Sequence, residues 1–169
     1  MSIETAIGAD RNGELEAAAA AYERALAADQ PSLELFLNLA ILYWQATDPG
    51  LASAKRLSVD FIATAGRRVP ELLAEAERRF PMSAEPRFWK RYIDWADLGE
   101  PFDPEECRDL IRQDSASHTP AMYLFMSTQG GEAEAEALEL LRKSEEERTT
   151  RARYVASVIR GVLKRGRRH

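Results

Sequence analysis

Few residues in this chain could do chemistry, and their spacing decides which chemistry that would be. Histidine occurs at His118 and His169, and cysteine only at Cys107. His118 closes the segment QDSASH, with Ser115 and Ser117 just before it. A Ser–His dyad is conceivable there, but neither serine is flanked by the strained turn that presents a nucleophilic hydroxyl. A loop or helix-capping role accounts for His118. Cys107 lies in PEECRDL beside Glu105 and Glu106, whose charge favours the thiol over the reactive thiolate. The carboxylate row Glu132, Glu134, Glu136 and Glu139 lacks the Glu-x-x-His companion that builds a di-metal site in a bundle, so it reads as a solvated face. Gly130-Gly131 has no phosphate-loop context. We expect no catalytic residue, no metal ligand and no cofactor, and therefore not an enzyme.

The elements that would position such residues are helical. Asp48-Pro49, Asp103-Pro104 and Thr119-Pro120 each pair a capping residue with proline at the first helical position, where the missing amide costs nothing. Glu106 stands three residues after Asp103, as in a capping box. Gly13, Gly66, Gly99 and Gly130-Gly131 fall between apolar runs. No alternating strand pattern emerges. The expected helices are Glu14–Ala28, Leu33–Ala46, Pro49–Ala65, Pro70–Arg79, Pro86–Leu98, Pro104–Gln113, Pro120–Thr128, Glu132–Glu147 and Thr149–Lys164, with room for a short one before residue 13. Their connections are short, which favours antiparallel neighbours.

The segment 33–46 stands out. At 100° per residue, Phe36, Leu39, Ala40 and Tyr43 form one stripe and Leu33, Leu37, Ile41 and Trp44 a second. Only Glu34, Asn38 and Gln45 are strongly polar. A helix apolar on nearly every side must be enclosed on several of them.

Here the chain resembles the tetratricopeptide repeat. In LFLNLAILYWQATDPGLA, residues 35–52, Phe36, the Leu39-Ala40 pair, Tyr43 and Ala52 fall at that family's signature spacings, with Thr47 where glycine is usual. Upstream, Gly13, Ala18, Tyr22 and Ala25 match the turn, small and aromatic positions of a second repeat helix, and Pro31 lies one residue beyond the usual proline. Residues 84–100 resemble another first helix through Phe88, Trp95 and Gly99, although Arg91 and Tyr92 replace the small pair. Trp89 and Tyr92 are also similar to half-a-TPR (HAT) repeats, and residues 123–141 give a fainter echo. The step from Phe36 to Phe88 is 52 residues, against a family period of about 34, so the segment 70–79 reads as an insertion.

The resemblance implies an all-α array of about eight or nine stacked antiparallel hairpin helices with a C-terminal capping helix. It also implies a concave groove that binds a peptide or protein partner. Groove positions correspond to Glu34, Leu37, Ile41, Trp44, Gln45, Trp89, Ile93 and Asp97. Chaperone-binding members clamp a terminal carboxylate with lysine and asparagine, and Leu37 and Ile41 argue against that function here. Two readings stay open: a closed bundle in which these residues are core, or an open apolar groove, a mark of an interaction site.

Charge is uneven along the chain. Residues 148–169 hold eight basic residues and no acid, whereas residues 1–147 hold 15 basic and 28 acidic ones, or −13. Tyr154, Val155, Val158, Ile159, Val162 and Leu163 make an apolar stripe, with Arg153, Arg160 and Lys164 off it. This pattern fits a helix covering the last hairpin, with its basic end suiting the helix dipole. The basic group Arg160, Lys164, Arg165, Arg167 and Arg168 could alternatively meet an anionic membrane or nucleic acid. Tyr154 alone gives little for base stacking, the acidic body repels phosphate, and pairing with Glu145, Glu146 or Glu147 competes.

Composition closes the reading. The chain is 169 residues long, 45% hydrophobic and 30% charged, in the range of a folded domain. No apolar run reaches the roughly 20 residues of a membrane span, and the first residues lack a secretory pattern. A lone cysteine excludes a disulfide framework. We expect a cytoplasmic, tetratricopeptide-like domain over residues 1–164 and a mobile tail over 165–169. Its role would be non-catalytic protein or peptide binding, with Leu37, Ile41, Trp44, Gln45, Trp89, Ile93 and Asp97 as contact residues and no small-molecule substrate. A dedicated neutraliser of a basic protein, of the immunity or antitoxin kind, is the alternative within the same class. The sequence leaves the oligomeric state open.

Overall fold

The structure is a computed structural model that describes residues 3–28 and 30–166. Among these the secondary structure is ten α-helices with no strand: α1 (Ile3–Arg11), α2 (Leu15–Leu26), α3 (Leu33–Ala46), α4 (Pro49–Ala54), α5 (Val59–Arg79), α6 (Glu85–Leu98), α7 (Pro104–Gln113), α8 (Pro120–Ser127), α9 (Glu134–Glu147) and α10 (Thr150–Gly166). They form two compact units. The first runs to Arg79 and includes Arg148–Arg151, and the second holds Phe80–Glu147 and the residues from Ala152 onward.

The first unit is organised around α3. Ser32 starts the helix by accepting the Leu35 amide on Oγ at 3.2 Å. Every residue from Leu35 to Trp44 is buried, and α3 packs against α2, α4 and α5. Helices come this close where side chains are small, and Ala18, Ala25, Ala40 and Ala52 are all buried. At the margin, Tyr43 donates its hydroxyl to Glu23 at 3.0 Å, and Arg68 of α5 grips the same carboxylate at 2.9 and 3.0 Å.

The segment between residues 49 and 79 departs from the sequence expectation. The helix expected over Pro49–Ala65 ends at Ala54, because Arg56 takes a left-handed backbone (φ 52°) and the Leu57 amide closes back on the Ala52 carbonyl. Ser58 then caps α5, accepting the Phe61 amide at 3.2 Å. That helix runs unbroken through Pro70, where a new helix was expected to begin. Pro70 removes the bond to the Gly66 carbonyl, but both residues are exposed, so water can hydrate the freed oxygen.

A polar knot lies inside this unit. Asp10 is wholly buried; its Oδ2 accepts the Tyr22 hydroxyl at 2.8 Å. Its Oδ1 accepts both the amide (2.8 Å) and the hydroxyl (2.6 Å) of Thr150. Beside it, Arg151 donates Nε to Oδ1 of the buried Asn38 at 2.8 Å. Burial, and then the neighbouring Asp10 carboxylate, hold the Tyr22 phenol well above its ordinary range.

The second unit is built on aromatic rings. Phe88, Trp89 and Tyr92 of α6 are fully buried and meet edge-on or tilted, with centroids 5.3–5.7 Å apart. Phe102 stacks on Tyr123 of α8 at 4.3 Å, and the Tyr123 hydroxyl donates to the Phe102 carbonyl at 2.5 Å. Tyr154 of α10 shares a 2.5 Å hydroxyl contact with Tyr92. On α10, Ala152, Val155, Ala156, Ile159 and Val162 are buried.

Two substitutions test these assignments. Trp89→Ala is expected to lower unfolding free energy in urea by about 3–5 kcal/mol, the cost of emptying an aromatic site. Pro70→Ala is expected to raise it by about 1–3 kcal/mol, since alanine restores the helical amide at an exposed position.

Candidate functional site

The expected contact residues separate by burial. Leu37, Ile41 and Trp44 are buried on α3, and Trp89 is buried on α6. They are core, which corrects the expectation that they offer an apolar contact surface: α3 is enclosed on the side where a groove would have opened. Gln45 and Ile93 are half-buried and Asp97 is exposed. Ile93 and Asp97 share one face of α6, a turn apart. Among the basic residues, Arg160 reaches Glu145 at 2.9 Å. Lys164 and Arg165 are exposed in the last turn of α10. Arg167, Arg168 and most of the tail expected to be mobile lie outside the described residues, while α10 itself extends through Gly166.

The chemistry-bearing residues are engaged structurally. Ser117 and Thr119 both donate to Oε1 of Glu85, at 2.9 and 2.8 Å. Cys107 is fully buried and its Sγ donates to the Pro120 carbonyl at 3.0 Å. His118 borders a cleft of ≈ 450 Å³ with Arg108, Ile111, Arg112, Leu124 and Glu136. Arg108 pairs with Glu105 and Glu132, and Arg112 with Glu105 and Asp109. Those arginines hold Glu105 and Glu132 below the usual carboxylate range. In the first unit, a second cleft of ≈ 420 Å³ is lined by Glu23, Phe36, Arg68, Glu71, Glu75 and Arg79, whose charges likewise pair with one another. Among the described residues, no three His, Cys, Asp or Glu side chains converge as a metal site requires. Nor is any described helix long and apolar enough to cross a membrane.

Large apolar side chains are exposed at Val59, Met82, Leu98 and Leu138, and of these Leu98 stands beside a tryptophan, at the C-terminal end of α6. Leu98 is 70% exposed, the half-buried Trp95 lies one turn before it, and Asp94 and Asp97 flank them. Trp95 is fixed from beneath by Tyr92 and Tyr123, with centroids 5.4 and 5.3 Å away. Gly99 takes a left-handed backbone (φ 70°), and the amides of Gly99 and Glu100 close back on Trp95 and Asp94, which ends the helix sharply.

The charges at this end run against the helix. A helix C-terminus carries partial negative charge and favours cations, yet the last turn of α6 holds Asp97 and no basic residue, and Glu100 follows at once. Lys90 pairs with Asp94 at 3.0 Å, but with the base N-terminal to the acid, the weaker orientation for such a pair. Arg91 serves acids beyond the helix end, reaching Glu106 at 2.5 Å, the Pro101 carbonyl at 2.6 Å and Glu100 at 3.7 Å. The Glu106 bond is the main reason its guanidinium is held above its usual range. Sequence reading picked out Ile93 and Asp97 through the repeat resemblance but missed Asp94 and Leu98. The available signal was an Asp-x-x-Asp-Leu-Gly ending with no base in the final turn.

Burial pushes the Cys107 thiol up to about 12. At pH 8 the folded chain should therefore react with a thiol-specific disulfide reagent about 10³-fold more slowly than the urea-unfolded chain, followed by release of the reagent's chromophore. Compared with known proteins, the chain matches no family model, no curated protein and no solved structure.

Proposed function

We propose that the chain is a non-catalytic protein-binding module that docks a partner on the end of α6. The observation that carries this reading is Leu98, a large apolar side chain exposed on a helix end with a rigidly backed tryptophan beside it. Single exposed leucines are ordinary on protein surfaces. This one stands among Asp94, Asp97 and Glu100, whose negative charge suits a partner of opposite sign. The chemistry that fits is a protein or peptide presenting lysine or arginine around an apolar side chain. Such a partner includes the basic protein of a neutralising, immunity- or antitoxin-like pair. The resemblance to tetratricopeptide repeats, a family of partner-binding modules, supports the same class of role. Membrane or nucleic-acid binding through α10 is the weaker reading, because Glu145 already holds Arg160 and burial of the apolar stripe gives α10 a packing role.

The test compares the wild-type chain with an Asp94→Lys/Asp97→Lys/Leu98→Ala variant, both checked for folding by circular dichroism. Each is immobilised and exposed to soluble extract of the native host. The wild type should retain a Lys/Arg-rich protein that elutes at about 1 M salt, where the screening length falls to about 3 Å. The variant should lose at least tenfold in affinity for it, about 1.4 kcal/mol. Equal retention by both chains, indifferent to salt, would overturn the reading.

A further inference from the structure

The buried Asp10 carboxylate has a use that neither the core nor the α6 surface accounts for. It lies wholly inside the first unit, yet both donors on its Oδ1 come from Thr150, 140 residues further along the chain. One of those donors is the backbone amide at the start of α10. An anionic acceptor on a first-turn amide is what a helix N-cap supplies, and here it also meets the positive end of the helix dipole. The surroundings are shaped to the same segment. Tyr22 from α2 orients the other carboxylate oxygen, Asn38 from α3 accepts Arg151, and Thr149 and Thr150 are themselves buried. Arg148, just upstream, adopts a left-handed backbone (φ 57°), so the chain turns sharply between the end of α9 and this dock.

We infer that α1 acts as a latch: through Asp10 it caps α10 from a distance and holds residues 148–151 in the polar cradle of the first unit. The cradle is specific, because it reads a hydroxyl, an amide and a guanidinium in consecutive residues. The clamp on Thr150 comes from a single side chain near the end of α1, a short helix that packs chiefly on α2. Displacing α1 removes the cap on Thr150 and leaves Arg151 on Asn38, while α2, α3 and α5 keep apolar contacts of their own.

Hydrogen exchange on the full-length chain tests this. In Asp10→Ala, amides of residues 150–153 are expected to exchange at least tenfold faster than in the wild type, while amides of α3 keep their protection. Thr150→Val, which deletes one donor and leaves Asp10 and Tyr22 in place, is expected to give a smaller rise confined to the same residues. Unchanged exchange at 150–153 in Asp10→Ala would overturn the latch. So would a matching loss of protection across α3, since Asp10 would then be a general support of the core. Where Asp10→Ala does not fold, Thr150→Val decides: a local rise sustains the inference and no rise ends it.

Discussion

The first unit depends on the enclosure of α3. A helix with ten consecutive residues buried from Leu35 to Trp44 has no solvent-facing side along that stretch, so its neighbours are obligatory. Alanines bring α2 and α4 close, and the long α5 covers another flank. The same enclosure bears on the contact residues expected from the repeat resemblance. A side chain cannot be both the seal between helices and the floor of an open groove, and Leu37, Ile41 and Trp44 belong to the seal.

Sequence reading recovered the all-α class and most helix limits because the relevant signals are local. Periodic apolar residues, Asp48 and Asp103 as caps, and proline at first helical positions each act within a turn or two, whereas Thr119, also read as a cap, makes no side-chain cap bond. It failed between residues 55 and 70 for a local reason and a contextual one. Arg56 adopts a left-handed backbone with no glycine or asparagine to announce it, and Pro70 is tolerated inside a helix because its face is wet. The Asp10 knot was illegible in principle. Nothing about an aspartate in GADRN signals a threonine 140 residues away.

The candidate site was half legible for a similar reason. Ile93 and Asp97 were reached through family resemblance, not through their own surroundings. In the proposed site they neighbour Trp95, propped by rings of α6 and α8, and the exposed Leu98 just before the glycine that stops the helix. Burial separates Trp89 from Trp95, two tryptophans on one helix with different fates, and only packing reveals which one faces inward.

The distance along the chain between Asp10 and Thr150 also bears on how this protein is made. Synthesis delivers α1, α2 and α3 first, and domains usually collapse in that order. This one cannot finish so early, because Thr150, a partner of the buried Asp10 carboxylate, follows it by 140 residues. Until translation reaches Thr150, the nascent N-terminal helices hold a carboxylate with Tyr22 on one oxygen and the donors of the other still to come. The polar knot of the first unit is thus completed by its own topology only after most of the second unit has been made.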